Sequence, residues 1–163
     1  MNYHVDSFQN TVLNKLTSFL DSNFIDYKLI EHAPTPTSEL ASKIRKTSIS
    51  AGVKALIIRG TKTNQNFMFC LPGDKKLNNK KIKKLLKEDT TFEDPKVLFE
   101  NYNLIVGGIP PFGFLFGITT YVSPLVFENV EIAFNAGVQT VSIIMKSNDY
   151  FKFKNRYFII DFT

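Results

Sequence analysis

The groups best placed for chemistry in this sequence are backbone groups, in the segment Gly107-Gly108-Ile109-Pro110-Pro111-Phe112-Gly113. Glycine lets a ligand approach the main chain closely, and proline fixes the direction of neighbouring peptide groups. The segment therefore predicts a buried, rigid loop that binds a ligand through its amides and carbonyls. The alternative is a glycine- and proline-rich connection between two core strands, which the segment alone does not exclude.

Lys54 is the charged side chain least expected in its surroundings, because it interrupts the apolar strand pattern from Val53 to Ile58. If both faces of that strand are covered, the ammonium loses its water and needs an oxygen-rich partner. The alternative is an edge-strand lysine whose stem lies on apolar surface while its charge reaches water. The spacing alone slightly favours the second interpretation.

A third feature is a run of lysines at positions 75, 76, 80, 81, 83, 84 and 87 that contains no acidic residue. On a helix capped by Asn78, the apolar residues Ile82, Leu85 and Leu86 share one side. The opposite side then carries Lys80, Lys83, Lys84 and Lys87. A merely solvated face is the simpler interpretation, but uncompensated repulsion favours a polyanion partner, and nucleic acid phosphates are the obvious candidate.

Composition limits the class of protein. At 163 residues the chain is expected to form a single domain with a proper core. The only cysteine, Cys70, lies in an apolar run and is predicted to be a packed thiol. The two histidines, His4 and His32, are too far apart for a zinc site, so no metal and no cofactor are expected. Residues 1–9 do not form a signal peptide, and a cytoplasmic location is the expectation.

The uncharged stretch from Asn101 to Phe127 could in principle cross a membrane. Its adjacent prolines and its glycines would break a spanning helix, so we expect no membrane partner.

The elements that must position these residues form an α+β pattern without regular alternation, which argues against a doubly wound sheet. Apolar spacing predicts a helix over residues 6–22, and Thr37 caps a short helix through Ile44. The segments Asp94-Pro95 and Ser123-Pro124 each predict the start of a further helix. The predicted strands are residues 27–30, 53–58, 66–71, 118–122, 130–134, 141–145 and 156–162.

Several segments taken together resemble the YbaK-like superfamily of editing domains, which stand alone or are attached to prolyl-tRNA synthetase. The resemblance covers about residues 25 to 150. The matching pieces, in order, are His32 with Thr37-Ser38-Glu39, Gly52-Val53-Lys54-Ala55-Leu56, Pro72-Gly73-Asp74-Lys75-Lys76-Leu77, Gly107 to Gly113, Thr120-Tyr121-Val122, and Phe134-Asn135-Ala136-Gly137 with Ser142-Ile143-Ile144-Met145. Ser123 and Asn78 stand where the family commonly has aspartate, and neither change affects the expected site.

This resemblance implies a mixed, barrel-like β-sheet flanked by helices, formed by residues 1–163 as one editing domain without a metal. It also implies an aminoacyl-tRNA deacylase, a hydrolase that cleaves the ester of a mischarged tRNA in trans. The family lysine falls on Lys54 and the family's glycine-proline motif on Gly107 to Pro111, so Lys54, Gly107 and Gly108 are the expected catalytic residues. The expected substrate-binding residues are His32, Thr37, Ile109, Pro110, Pro111, Phe112, Gly113, Asn135, Ala136 and Gly137.

The chemistry fits these residues, because an aminoacyl ester is already activated and needs mainly a positioned water and a stabilised oxyanion. The expected substrate is the acceptor end of tRNA-Pro carrying a small uncharged amino acid such as alanine, cysteine or serine, with prolyl-tRNA synthetase as a possible partner. The expected wall of the pocket is Phe112, Leu115, Phe116 and Ile118. Lys80, Lys83, Lys84 and Lys87 would contact tRNA phosphates. The alternative is a non-catalytic tRNA-binding appendage of a synthetase.

Overall fold

The computed structural model describes residues 7–163, with side chains from residue 11 onward. His4 and the whole polar stretch of residues 1–9 therefore lie outside the described side chains. The helices are α1 (Ser7–Ser22), α2 (Ser38–Arg45), α3 (Asn79–Leu86), α4 (Pro95–Tyr102) and α5 (Ser147–Phe151). The strands are β1 (Tyr27–Glu31), β2 (Val53–Gly60), β3 (Asn66–Pro72), β4 (Thr90–Phe92), β5 (Thr119–Val122), β6 (Glu131–Asn135), β7 (Val141–Lys146) and β8 (Phe158–Ile159).

The strands form two sheets, and the predicted α+β fold with a mixed sheet is confirmed. One sheet is antiparallel in the order β1-β7-β6, and the other has the order β4-β2-β3-β5-β8 with parallel pairs at β3/β5 and β5/β8. A single parallel bridge between Gly52 and Ala133 connects the end of one sheet to the other. The barrel-like arrangement therefore has a seam where β2 and β6 meet only briefly.

The helix starts follow from side-chain caps that the sequence predicts. The Thr37 hydroxyl accepts from the Leu40 amide, Asn78 accepts from the first turn of α3, and Asp94 accepts from the Lys96 amide. Each cap satisfies amides that have no partner inside the helix. Ser123 also caps its helix, but the segment that follows, Pro124–Glu128, is 3₁₀ rather than α.

Some elements differ from the prediction. The last strand, expected over residues 156–162, pairs only at Phe158–Ile159. Strand β4 and helix α5 were not predicted, because both are short and their apolar spacing is too brief to show a period.

Two apolar clusters hold the structure together. The larger cluster packs α1 and α4 against β2, β6 and β7, and it includes Leu16, Leu98 and Phe134, all at most 2% exposed. The smaller cluster lies under α3, where Ile82 is fully buried against Phe69 and Phe162. No helix within residues 7–163 is long and apolar enough to cross a membrane.

Candidate active site

A cavity of about 400 Å³ opens beside the seam between the two sheets. Five of the sequence-predicted site residues line it: Thr37, Lys54, Gly107, Ile109 and Asn135. They come from the cap of α2, strand β2, the glycine loop and the end of β6. The fold therefore brings together residues that lie up to about a hundred positions apart in the sequence.

One wall of the cavity is the first part of β2, which does not pair with β4. The Glu93 amide donates to the Ile57 carbonyl, and the Thr61 amide donates to the Asp89 carbonyl, so alternate residues of β2 face β4. The next pair in this ladder would join Ala55 to Pro95. Proline has no N–H, and Pro95 begins α4, so the chain leaves the sheet there.

Among residues 7–163, the Ala55 peptide groups consequently have no ladder partner on this side of β2. On the other side of β2, Ala55 lies opposite Cys70, whose carbonyl accepts instead from the Ser123 amide. The Ala55 N–H and C=O thus point along the sheet into the cavity, where Ala55 is part of the wall. They offer one donor and one acceptor to a ligand.

Lys54 agrees in part with both interpretations of its sequence position, the covered lysine with an oxygen partner and the lysine whose charge reaches water. The residue is half-buried, and its ammonium donates to the Gly73 carbonyl over 3.3 Å. Burial lowers the pKa of Lys54, the carboxylates of Asp74 and Glu39 partly offset this, and Lys76 adds to the lowering. The ammonium is therefore partly desolvated beside the cavity and retains the capacity to donate to a substrate oxygen.

The glycine loop and the segment from Asn135 to Gln139 are joined by hydrogen bonds. The Gly137 amide donates to the Gly108 carbonyl over 2.8 Å, and the Asn135 side-chain amide donates to the Gly107 carbonyl. Gln139 donates to the Val106 carbonyl over 2.9 Å. The two loops that the family resemblance identifies therefore form one unit.

Positions 107 and 108 are both glycine, but for different structural reasons. Gly107 is exposed in the cavity wall and has a φ of +84°, a conformation that L side chains rarely adopt. A Cβ on Gly108 would lie 3.1 Å from the Val138 carbonyl carbon, so this glycine permits close packing of the second loop. The sequence predicted that the backbone of residues 107–113 would be open to a ligand. Gly107 is exposed, whereas residues 108–113 are buried.

Eight other predicted site residues lie outside the cavity wall: His32, Gly108, Pro110, Pro111, Phe112, Gly113, Ala136 and Gly137. Phe112 is fully buried among Phe19, Phe134 and Tyr150. Pro111 accepts a hydrogen bond from the Tyr150 hydroxyl over 2.6 Å. Phe112 and Pro111 therefore fix the glycine loop to the core on the side away from the cavity. Leu115, Phe116 and Ile118, expected in the wall, also pack on the core away from the cavity.

The apolar wall of the cavity comes from other residues, among them Ile57, Leu98, Val106 and Ile109. Cys70 is fully buried on β3, which confirms the prediction of a packed thiol. Burial raises the pKa of the Cys70 thiol far above its usual range, so a thiolate nucleophile is not available there.

Arg45 is a cavity residue that sequence analysis missed. It is only 8% exposed, its Nε donates to the Ser142 hydroxyl and its Nη2 donates to the Asn135 side-chain oxygen, both over 2.8 Å. No carboxylate within residues 7–163 pairs with it, and burial lowers the pKa of Arg45 to about 10. The sequence did contain a sign of its burial: Arg45 lies four residues after Ala41, so both residues are on the buried side of α2.

His32 belongs to the same network. Its Nδ1 lies 2.7 Å from the Ala33 carbonyl, so this nitrogen donates, and its Nε2 lies within hydrogen-bond distance of the Ser142 hydroxyl, at 2.7 Å. Ser142 in turn accepts from Arg45. His32 thus fixes the hydroxyl that holds the guanidinium, and through it the Asn135 amide at the cavity.

The lysine helix α3 lies apart from the cavity. Lys80, Lys83, Lys84 and Lys87 are exposed, and none of them lines the cavity. The expected lack of compensation is wrong for part of the run. Lys81 pairs with Asp161 over 2.6 Å, and Lys83 pairs with Asp89 over 2.8 Å.

Comparison with known proteins gives a consistent result. The family model for the aminoacyl-tRNA editing domain matches residues 32–153. The multifunctional Ser/Thr-tRNA deacylase ProXp-y of Escherichia coli (strain K12) is 30% identical over 142 residues, covering 85% of each chain. The prolyl-tRNA editing protein ProX of Acetoanaerobium sticklandii is 30% identical over 112 residues, covering 68% of each chain.

Solved structures agree on the fold. A crystal structure of a proposed trans-editing enzyme for prolyl tRNA synthetase superposes with a TM-score of 0.80 at 18% identity, covering 97% of this chain and 98% of the other. The hypothetical protein APE2540 superposes with a TM-score of 0.78 at 20% identity, covering 89% and 97%. The family model and the two curated relatives show that the chain belongs to the aminoacyl-tRNA editing domain family of deacylases, which are hydrolases.

Proposed function

We propose that this chain hydrolyses the ester between a small, uncharged amino acid and the 3′ end of a tRNA on which it is misplaced, with tRNA-Pro as the expected acceptor. The observation that carries the proposal is that Lys54 and the Gly107 backbone line one cavity. Cys70 and His32 both lie outside that wall. A bound water is therefore the best candidate for the attacking group.

In this mechanism the water oxygen forms a bond to the ester carbonyl carbon, and the bond from that carbon to the ribose oxygen breaks. The ribose oxygen leaves with a proton, and the free amino acid and intact tRNA are the products. Lys54 holds the terminal phosphate or the ribose oxygens, which fixes the ester beside the glycine loop. The free peptide groups of the wall supply donors where negative charge develops on the carbonyl oxygen.

The amino acid is the finer part of the proposal. The apolar residues of the wall and the limited volume favour a short side chain, and apolar pockets separate a methylene by only a few kcal/mol. The activity in the name of ProXp-y brings serine and threonine into the range to be tested, beside alanine and cysteine.

The test is a deacylation panel. The protein is incubated with tRNA-Pro carrying alanine, cysteine or serine, and with serine and threonine on their own tRNAs, and release of the amino acid is followed. We expect protein-dependent release of at least one small amino acid and none of proline. Binding of the charged tRNAs without release would instead support the non-catalytic appendage.

We also propose that residues 1–163 act as one editing domain that works on released tRNA, with prolyl-tRNA synthetase as the enzyme whose errors it corrects. The family match supports the editing domain over residues 32–153. Pull-down and gel-filtration measurements with purified prolyl-tRNA synthetase test the partnership. Full deacylation in the absence of the synthetase is the expected result.

A further inference from the structure

The cavity carries opposite charges at its two ends. Lys54 and the buried Arg45 lie at the start of β2, where a Cβ on Gly52 would be 3.7 Å from Arg45 Nη1. Glu93 lines the other end, beside Ile57, and is 9% exposed. It also lines a neighbouring cavity together with Arg59. Gly52 and Ile57 are five residues apart on an extended chain, which corresponds to about 17 Å.

The two polar contacts of the Glu93 side chain use only one of its carboxylate oxygens. Its hydrogen bond from the Asp94 amide (2.8 Å) and its ion pair with Arg59 (3.6 Å) both use Oε1. Oε2 takes part in neither of these two contacts. Arg59 is about one third exposed and donates through Nη1 to Asn64, so water weakens its pairing with Glu93. A largely buried carboxylate with an oxygen outside both contacts favours a further cationic partner.

The free peptide groups of Ala55 lie between the two charged ends. Pro95 prevents the ladder from continuing, so the Ala55 carbonyl remains an unused acceptor in the wall. A cation held by Glu93 at this edge of β2 could donate to that carbonyl as well. An α-ammonium group has three donors and can serve both acceptors.

We propose that the cavity binds the aminoacylated 3′ end in one direction, with the α-ammonium group at Glu93 and the Ala55 carbonyl and the terminal phosphate at Lys54 and Arg45. This inference rests on the proposed function and deepens it. An aminoacylated adenosine 5′-phosphate has one negative and one positive end, as the cavity does. The reverse direction would place the ammonium beside two cations and the phosphate beside a carboxylate, which is strongly unfavourable in a poorly hydrated site.

Glu93 is thereby a specificity-determining residue that requires a free α-amino group on the substrate. The experiment uses two non-hydrolysable ligands in which an amide replaces the ester. One is 3′-(L-serylamino)-3′-deoxyadenosine 5′-phosphate, and the other is its counterpart with hydrogen in place of the α-amino group. Their dissociation constants are measured by calorimetry, so no turnover is needed.

Three variants are compared with the wild-type protein. Glu93→Gln keeps the acceptor for the Asp94 amide and removes the charge. Glu88→Gln is the matched control, because Glu88 is also buried (4% exposed) but binds Thr63 and the Lys62 amide outside the cavity wall. Arg59→Gln removes the other partner of Glu93. If Glu93 acted only through its ion pair, Arg59→Gln and Glu93→Gln would behave alike.

The wild-type protein is expected to bind the amine-bearing ligand about tenfold more tightly or better, as is typical of a hydrogen bond to a charged group. Glu93→Gln should abolish that preference, while Glu88→Gln and Arg59→Gln retain it. Equal binding of both ligands by the wild-type protein would overturn the inference and leave the proposed function standing, whether or not any variant folds. A preserved preference in folded Glu93→Gln would also overturn it. Binding of neither ligand would contradict the proposed function together with the inference.

Discussion

Two regions of this molecule concentrate positive charge, and they differ in how much water surrounds it. Helix α3 has more cations, but they are exposed, and Asp161 and Asp89 neutralise two of them. Among residues 7–163, the cations that line the cavity are Lys54 and Arg45, and Arg45 has no acidic partner. Screening by water and salt makes exposed charges weak, whereas a desolvated charge acts strongly on a ligand. The number of lysines is therefore a poor guide to the site, and their burial is a better one.

The largest effect is expected for Lys54→Ala. Removing the cavity ammonium should lower kcat/KM roughly a hundredfold to a thousandfold, which is typical for the loss of one electrostatic contact in an active site. The measurement is deacylation of the best substrate of the panel. Lys54→Arg should restore only part of the activity, because a planar guanidinium does not replace a point charge on a flexible stem. Normal turnover by a folded Lys54→Ala protein would remove this residue from the site.

Gly108→Val tests whether the two joined loops matter for turnover. A Cβ on Gly108 would contact the Val138 and Gly137 backbones at 3.1 to 3.3 Å, so the valine must push the second loop away from Gly107. We expect kcat to fall about tenfold, since small displacements of positioning groups cost this much. Gly117→Ala is the control: its φ of +69° makes alanine strained, but nothing lies within 4 Å. Equal effects of the two changes would point to general destabilisation.

Arg45→Lys tests the buried cation itself. The lysine keeps the charge but cannot donate to both Ser142 and Asn135 in the same fork. We expect the free energy of unfolding to decrease by about 2 kcal/mol, the usual cost of unsatisfied buried polar groups. Urea denaturation provides the measurement. Lys43→Gln, an exposed change on the same helix, should stay within about 0.5 kcal/mol of wild type.

The smallest effect is expected from α3, and the ion pairs divide its lysines into two sets. Lys80, Lys84 and Lys87 have no ion pair with the side chains of residues 11–163. Changing them to glutamine should raise KM for charged tRNA a few fold and lower the salt dependence of binding, by about one unit of slope per lost phosphate contact. Changing the paired Lys81 and Lys83 should do less. Aminoacyl-adenosine should be hydrolysed normally by both proteins. Equal losses on tRNA and on aminoacyl-adenosine would mean that the helix supports the fold of the site.

The sequence was sufficient for features whose cause is local. Thr37, Asn78 and Asp94 cap their helices as predicted, because a cap depends on residues two or three positions away. The hairpin of β2 and β3 follows in the same way from two adjacent strand patterns.

Features that depend on distant partners were not predictable. Arg45 is buried because Ser142, 97 positions away, accepts its Nε–H. Within the described part of the chain, Ala55 has no ladder partner because Pro95, which begins helix α4, occupies the next position. The residues expected to form the apolar wall lie in the core for a related reason, since an uncharged run does not reveal which of its members face a cavity. Residue types and spacing already drew attention to Lys54 and the Gly107–Gly113 loop, and family resemblance assigned them to one site. Neither approach indicated Arg45 or Glu93.

The packing of Gly137 against α1 has a consequence for motion. A Cβ on this glycine would lie 2.5 Å from the Val12 side chain, so the turn that holds Gly108 rests directly on the first helix. The Gly137 amide can exchange its hydrogen with solvent only when the bond to the Gly108 carbonyl opens. We expect the contact with α1 to slow that opening, although α1 does not line the cavity. Hydrogen exchange at Gly137 would measure how often the bond between the two loops opens.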